Sequence, residues 1–420
     1  MTEATTAAPA GARIATLDIV RGVAVMGILA MNIVAFALPE NAYMNPRAAG
    51  YEGPADIASW AVAFVFVDGK MRGLFSFLFG ASMLLVVERA EAAGRSGAAV
   101  HYRRMAWLLV FGLAHFYLVW SGDILSLYAP IGMIAYAFWA SRPRLLIAIA
   151  IGLLLFQFAL FASLAATVFD AARAAAAPHA DVDALLRWRE MQAGSGLYSP
   201  AELRETLAVY RGSWWWIVRH NFDENGLAPV RSVLFIGAET LAYMLLGMAA
   251  LKTGFLSGRW SNRAYAIAAA IGFGIGVPAY ALLARWCIEA DFAVPVLVAG
   301  SLAASVPFRP AMIVGTAALI ILATRGHGRL TRRIAAAGRA AFTNYLGTSL
   351  LMTAIFYGYG LGLFGHVRRV DLWWFVIGAW ALMLLWSKPW LDRFAYGPFE
   401  WLWRSLARGE PQPMRRRAPA

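Results

Sequence analysis

Leu17-Asp18-Ile19-Val20-Arg21-Gly22-Val23-Ala24-Val25-Met26-Gly27-Ile28-Leu29-Ala30-Met31-Asn32 opens a stretch that stays apolar to Leu38, broken only by Asp18, Arg21 and Asn32. As a helix it measures about 33 Å and so crosses a hydrocarbon core of ~30 Å. It outruns the apolar region of a cleavable signal and carries two charges, so no cleavable signal is read here. At roughly 100° per residue, Asp18, Arg21 and Asn32 return to nearly one face, a polar stripe along a membrane helix. Two readings stay open for its inner end: Asp18 caps the helix while Arg21 snorkels to the headgroups, or the pair belongs to a site. A buried amide such as Asn32 bonds a neighbouring helix or lines a wet cavity.

The rest of the chain repeats the pattern. Of 420 residues, 60% are hydrophobic and 15% charged, against about a quarter charged in soluble domains. The mean hydropathy of +0.59 is more apolar area than a water-facing surface can hide. Further apolar cores lie at Met71–Val87, Met105–Trp120, Ile124–Ala140, Arg144–Val168, Arg231–Leu251, Ala264–Ile288, Arg309–Thr324, Ala341–Gly358 and Leu372–Ser387. The expectation is an all-α polytopic membrane protein with about ten transmembrane helices. Ile57–Val67 is too short to cross and is expected in the outer interface; Phe292–Val306, interrupted by Pro295, is expected to be interfacial or re-entrant.

The net charge of +13 comes from 37 Lys and Arg against 24 Asp and Glu. These cations cluster between apolar runs, which is membrane topology rather than nucleic-acid binding. Arg89, Arg95, Arg103 and Arg104 follow the second core, Lys252, Arg259 and Arg263 the sixth, and Arg325 to Arg339 the eighth. Placing both termini in the cytoplasm of a bacterial inner membrane puts all of them inside, with the Arg415–Arg417 tail. The expected organisation is a disordered tail 1–12, a five-helix half 13–168, an extracytoplasmic loop 169–229, a second five-helix half 230–390, and an interfacial helix with basic tail at 391–420. The loop contains an amphipathic helix near Ala201–His220 with Trp214, Trp215 and Trp216, read as an interfacial anchor or as a lid. Cys287 is the only cysteine, and no histidine spacing suggests a metal site.

Polar groups inside a membrane are costly and mark function. Lys70 and Arg72 begin the second span on the side where cations are disfavoured; they form an anion site at the helix N-terminus or pair with Asp68 or acidic loop residues. His115 is the one histidine placed within a span. It reads either as a satisfied hydrogen-bonding partner or as a general base, with Asp123 nearby capping the next helix. Asn344 and Tyr345 open the ninth span. Glu400 and Arg404, four apart on the C-terminal amphipathic helix, are expected to pair. P-loop, Rossmann and H-E-x-x-H patterns are absent.

Arg13 to Gly22, Met31-Asn32, Lys70 to Gly80, His115, Trp120-Ser121-Gly122-Asp123-Ile124-Leu125, Thr343-Asn344-Tyr345 and Gly397 to Arg404 together resemble the YeiB family of bacterial integral membrane proteins. The resemblance covers nearly the whole chain. The Leu-Asp-x-x-Arg-Gly opening is also similar to that of transmembrane acyltransferases of the heparan glucosaminide acetyltransferase type. That likeness implies a ten-helix core passing an acyl group from cytoplasmic acyl-CoA to an extracytoplasmic acceptor, with Asp18, Arg21 and Asn32 at matching positions. In that type the catalytic histidine lies in the first luminal loop, whereas residues 39–56 here contain none, so His115 would substitute. The functional expectation is acyl transfer: His115 and Asp123 catalytic, and Asp18, Arg21, Asn32, Lys70, Arg72, Asn344 and Tyr345 contacting substrates. The alternative is a transporter of a small anion or lipid-like solute, or a non-catalytic scaffold. No bound cofactor or metal is expected beyond acyl-CoA as co-substrate, and the partners are the bilayer and the acceptor.

Overall fold

A bilayer core offers no water to backbone amides, so a chain this apolar satisfies them within helices. The computed structural model describes residues 14–49, 53–326 and 328–415. The tail 1–12, Arg13, Arg416 and Arg417, for which expectations are given above, lie outside them. The helices are α1 (Ala15–Ala37), α2 (Pro54–Phe66), α3 (Lys70–Ala92), α4 (Gly97–Leu118), α5 (Leu125–Ala135), α6 (Pro143–Ala175), α7 (Val182–Gln192), α8 (Pro200–Tyr210), α9 (Trp214–Asp223), α10 (Ala228–Lys252), α11 (Asn262–Glu289), α12 (Val294–Leu297), α13 (Arg309–Ala323), α14 (Arg329–Arg339), α15 (Ala341–Phe356), α16 (Leu372–Arg393) and α17 (Pro398–Arg408). Among the described residues there is no strand.

Each apolar core expected to cross coincides with a helix, yet fewer have the length and composition to do so. Six helices qualify: α1, the α2–α3 pair as one 39-residue unit, α6, α10, α11 and the α16 region. A seventh is reached if residues 294–304 and α13, bent by 57°, count as one broken span. The expected ten is thus not reached: α5 has 11 residues, α15 has 16, and α4 carries Arg103 and Arg104. α1 and α10 sit centrally, with 78% and 67% of their apolar windows buried; α6 and α11 are peripheral at 22% each, so their apolar outer faces suit lipid contact.

One carboxylate ties the centre together. Glu239 on α10 has a fully buried side chain. Its Oε2 accepts from Arg72 of α3 at 2.6 Å; its Oε1 accepts from Arg309 of α13 and from the Tyr243 hydroxyl at 2.7 Å. Its backbone N–H donates to Gln157 of α6 at 3.3 Å, while Arg309 also reaches Ser305 at 2.6 Å and Tyr280 of α11 at 3.3 Å. Five helices therefore meet on one ionic knot. Lys70 is buried beside it, donating to the Phe64 carbonyl with its ammonium 3.2 Å from the Tyr280 ring centroid. The chain enters α3 through Gly69 at φ 67°, a left-handed conformation that glycine adopts without penalty. A Cβ there would also run into the Arg309 guanidinium.

Close backbone approach packs the other pairs. Gly80 of α3 lies against the Met244 backbone of α10, and Gly338 of α14 against Asp18 and Gly22 of α1, the small-residue contact that dispersion-driven membrane packing favours. Arg21 bonds Asp18 at 3.1 Å and Ser82 of α3 at 2.6 Å, so the pair is both local and a tie between helices.

Four local expectations change. α6 continues to Ala175, past the expected end at Val168. The single helix expected near Ala201–His220 is two: α8, opened by a Ser199–Glu202 capping box, and α9, capped by Ser213, because each cap serine interrupts one helix to start the next. His101, expected in a loop or interface, is buried in α4 with its ring bonded to the Gly132 carbonyl at 2.9 Å. Glu400 does not pair with Arg404: it is buried and accepts from the N–H groups of Phe342 at 2.6 Å and Thr343 at 3.1 Å and from the Thr343 hydroxyl at 2.5 Å. It thereby caps α15 from α17, while Arg404 lies over the Tyr396 ring at 4.7 Å. Burial pushes the Glu400 carboxyl above the usual carboxylate range, against the pull of the Thr343 and Phe342 hydrogen bonds.

Two stability predictions follow from these contacts. Glu239→Ala leaves two buried guanidinium groups uncompensated and should destabilise the fold by about 3–5 kcal/mol, read as a lower melting temperature in detergent; an unchanged melt would remove the knot from its central place. Glu400→Ala strips the cap from α15 and should cost about 1–3 kcal/mol, with faster hydrogen exchange confined to the first turn of α15. Unaltered exchange there would show that the cap carries no weight.

Candidate functional site

The segment between α4 and α5 folds inward instead of crossing the surface, because its aromatic and acidic residues find partners there. Trp120 is buried and stacks on Phe36 of α1 at 3.9 Å between centroids. Asp123 follows, its side chain fully buried. Its Oδ1 lies 2.7 Å from His115 Nδ1, and its Oδ2 accepts from the Ser126 N–H in the first turn of α5 at 2.7 Å. Tyr345 of α15 closes the group: its hydroxyl accepts from the Ile124 N–H at 3.1 Å and donates to Asp123 Oδ1 at 3.4 Å. Its ring is 5.3 Å from the imidazole.

This arrangement fixes what the imidazole can do. A carboxylate only accepts, so in the neutral ring Nδ1 holds the proton and Nε2 keeps its lone pair. His115 Nε2 is buried and has no hydrogen-bond partner. A nitrogen so placed, with its tautomer and orientation set by a buried acid, has the geometry of a general base waiting for a proton.

Asn32, 7% exposed, meets no hydrogen-bond partner among the described residues. Phe36, one turn along the same face of α1, is the residue that stacks on Trp120, and the Trp120 ring lies edge-on to His115 at 6.3 Å. Asn32 therefore belongs to the face of α1 turned towards the histidine. Asp18 and Arg21 lie about 16 Å or more away along the same helix and are not brought to His115. Asn344 is engaged elsewhere: its amide donates to the Ala337 carbonyl at 3.0 Å and Ser387 at 3.2 Å and accepts from Trp386 at 2.9 Å, binding α14, α15 and α16. The tips of α4 and α9 are sewn together by Tyr117 stacked on Phe222 at 4.3 Å and by Trp214 donating to the Leu118 carbonyl at 2.7 Å. The loop helices thus cover this end of the bundle, with Trp215 left 68% exposed.

Arg72 lines a second place, a cavity of about 260 Å³ between the last turns of α1, the starts of α3 and α13 and the middle of α10, while Lys70 next to it is buried against the Phe64 carbonyl and the Tyr280 ring. The cavity's polar lining is Tyr43, Asp68, Arg72, Glu239, Ser301, Arg309 and Arg369. Arg72 is thus neither free at the helix end nor held by loop acids; its carboxylate comes from α10. Sequence reasoning passed over Glu239, Arg309 and Arg369 as site residues. The signal for Glu239 was present, as a lone carboxylate in the middle of an apolar span; nothing in the linear order joins it to residues 167 and 70 positions away.

Comparison with known proteins places the chain. Residues 250–410 match the family described as "Protein of unknown function (DUF418)". The protein YeiB of Escherichia coli (strain K12), whose printed name is "Uncharacterized protein YeiB", is 32% identical over 410 residues, covering 93% of this chain and 95% of the relative. YxaH of Bacillus subtilis (strain 168), likewise named as uncharacterized, is 32% identical over 416 residues, with 96% of each covered. An uncharacterized 39.9 kDa protein of Bacillus acidopullulyticus is 24% identical over 398 residues, covering 94% and 93%. No solved structure matches. A helical, apolar, membrane-type chain that aligns end to end at this identity belongs to the YeiB family, which carries the DUF418 region.

Proposed function

We propose that the protein is a membrane-embedded acyltransferase using acyl-CoA as donor, with His115 as general base and Asp123 as the acid that orients it. The observation that carries this reading is the buried His115–Asp123 pair at 2.7 Å with Nε2 unpartnered. An acceptor hydroxyl or amine gives its proton to Nε2 as its oxygen or nitrogen attacks the thioester carbonyl. The tetrahedral oxyanion then expels the CoA thiolate, which takes the proton back from the imidazolium. A donor aimed at the oxyanion lowers the barrier, and the Asn32 amide, on the same side of α1 and otherwise uncommitted, supplies one. Tyr345 holds Asp123 in place. Asp18 and Arg21 shape the far end of α1, where the basic loops draw in the CoA phosphates. With this goes a bacterial inner-membrane location, cytoplasmic termini, a ten-span core in which α4, α5 and α15 also cross, and an acceptor on the extracytoplasmic side.

The second reading, transport of a small anion or lipid-like solute, draws on the cationic cavity lined by Arg72, Arg309 and Arg369. Solute flux in proteoliposomes without any acyl donor favours it over catalysis.

Purified protein given acetyl-CoA and longer acyl-CoAs should release free CoA thiol, slowly to water and faster with the right acceptor. His115→Ala should abolish release, and Asp123→Asn, which fixes the wrong tautomer, should cut it by roughly 10²–10⁴-fold with the melting temperature retained. Thiol release that survives in His115→Ala removes the histidine from catalysis.

A further inference from the structure

Arg369 sits in the 3-10 turn before α16 and is 4% exposed. It lines the cavity with its Nε unpartnered, its terminal nitrogen donating only to the carbonyl of Ala42. The two acids of the cavity are already occupied. Both oxygens of Glu239 are held by Arg72 and Arg309, and Asp68 Oδ1 accepts from the Tyr43 hydroxyl at 2.6 Å. The neighbouring Asp56 is taken by Arg368 at 2.8 Å and by the Val370 N–H at 3.0 Å. Among the described residues, no carboxylate lies within ion-pair distance of Arg369. Three guanidinium groups thus line one cavity with two acids, and the excess positive charge is buried, where a lone charge is costly.

Apart from Tyr43 and Ser301 the rest of the wall is apolar, with Met31, Val34, Trp60, Phe161 and Phe235 its larger side chains. A cavity with one uncompensated cation and a greasy wall suits a molecule with one negative head and a hydrocarbon chain. Its volume, about 260 Å³, is below the ~300–1,000 Å³ of drug-sized sites, so it takes a head and the first part of a chain, the remainder leaving towards lipid. We propose that this cavity is a binding site for an anionic amphiphile, with the phosphate or carboxylate head on Arg369 and Arg309 and the chain along Phe161 and Phe235. The site is distinct from that of His115. Ala30, Met31 and Val34 face the cavity, whereas Asn32 and Phe36 point to roughly the opposite side of α1 at ~100° per residue. The proposal therefore does not rest on the acyl-transfer reading.

The test uses the full chain in a neutral detergent with dodecyl phosphate as probe, dodecanol as the uncharged analogue and inorganic phosphate as the chainless one. Dodecyl phosphate should raise the melting temperature saturably and the other two should not. Arg369→Gln should weaken the apparent dissociation constant by roughly tenfold or more. Ala63→Leu, which fills the cavity from α2 without touching a charge, should abolish the effect, and it decides the matter if Arg369→Gln does not fold. Native mass spectrometry from nanodiscs of phosphatidylcholine with phosphatidylglycerol separates the two sources of such a head. One retained phosphatidylglycerol, lost in Ala63→Leu, identifies a bilayer lipid; dodecyl phosphate binding with none retained identifies a free amphiphile. An equal response to dodecanol or to inorganic phosphate, or an unchanged response in Ala63→Leu, overturns the proposal.

Discussion

A charge inside a membrane protein must bring its own solvent, and Glu239 shows what that requires. Its carboxylate is fully buried and survives only because two guanidinium groups, a tyrosine hydroxyl and a glutamine amide on its backbone converge on it from other turns and helices. Each partner lies on an apolar helix that could otherwise slide or rotate against its neighbours, since lipid and leucine are alike to it. Directional bonds to one carboxylate remove that freedom. The positions of α3, α10 and α13, and through them the start of α3 at Gly69 and the wall of the cavity, are consequences of this constraint. Its energetic worth is separate from its geometry, because a buried ion pair repays its own desolvation only in part.

The polar groups of the membrane region divide by whether their hydrogen-bonding capacity is used. Asn344, Arg21, Glu400 and Glu239 have each been spent on holding helices together. His115 Nε2, the Asn32 amide and Arg369 Nε have not. Burying a polar atom without a partner costs stability and is tolerated where something else arrives to meet it. Those three fall at two places on roughly opposite sides of α1, one at an imidazole held by a carboxylate, the other at a guanidinium in a cavity. The contrast is chemical: an imidazole beside a carboxylate handles protons, whereas an unpaired guanidinium cannot lose one and so can only bind.

The apolar runs were legible because their signal is local. A helix in lipid needs only its own residues to satisfy its backbone, so α1, α6 and α10 are readable from any window of sequence containing them. The serine caps that divide α8 from α9 are local too, yet the single helix expected near Ala201–His220 ran across the second of them. Expectation went astray where satisfaction is not local. Glu400 and Arg404 are spaced for an i,i+4 pair, yet the free N–H groups opening α15 compete for the same carboxylate and win, since several charge-assisted bonds to a helix end outweigh one exposed pair. The number of crossings falls short of ten by length and composition for a related reason: α4, α5 and α15 are short or charged, and their setting depends on what packs around them.

Sequence by itself determined the helical membrane character, the sites of most helices and the family, and it singled out His115, Asp123 and Tyr345 as candidates. Tertiary structure alone decided that these three meet, that Arg72 belongs to Glu239, and that Arg369 faces a cavity with its Nε unpartnered. Backbone satisfaction is a property of consecutive residues, while the pairing of side chains 222 or 167 positions apart is set by which helix faces touch once all of them are packed.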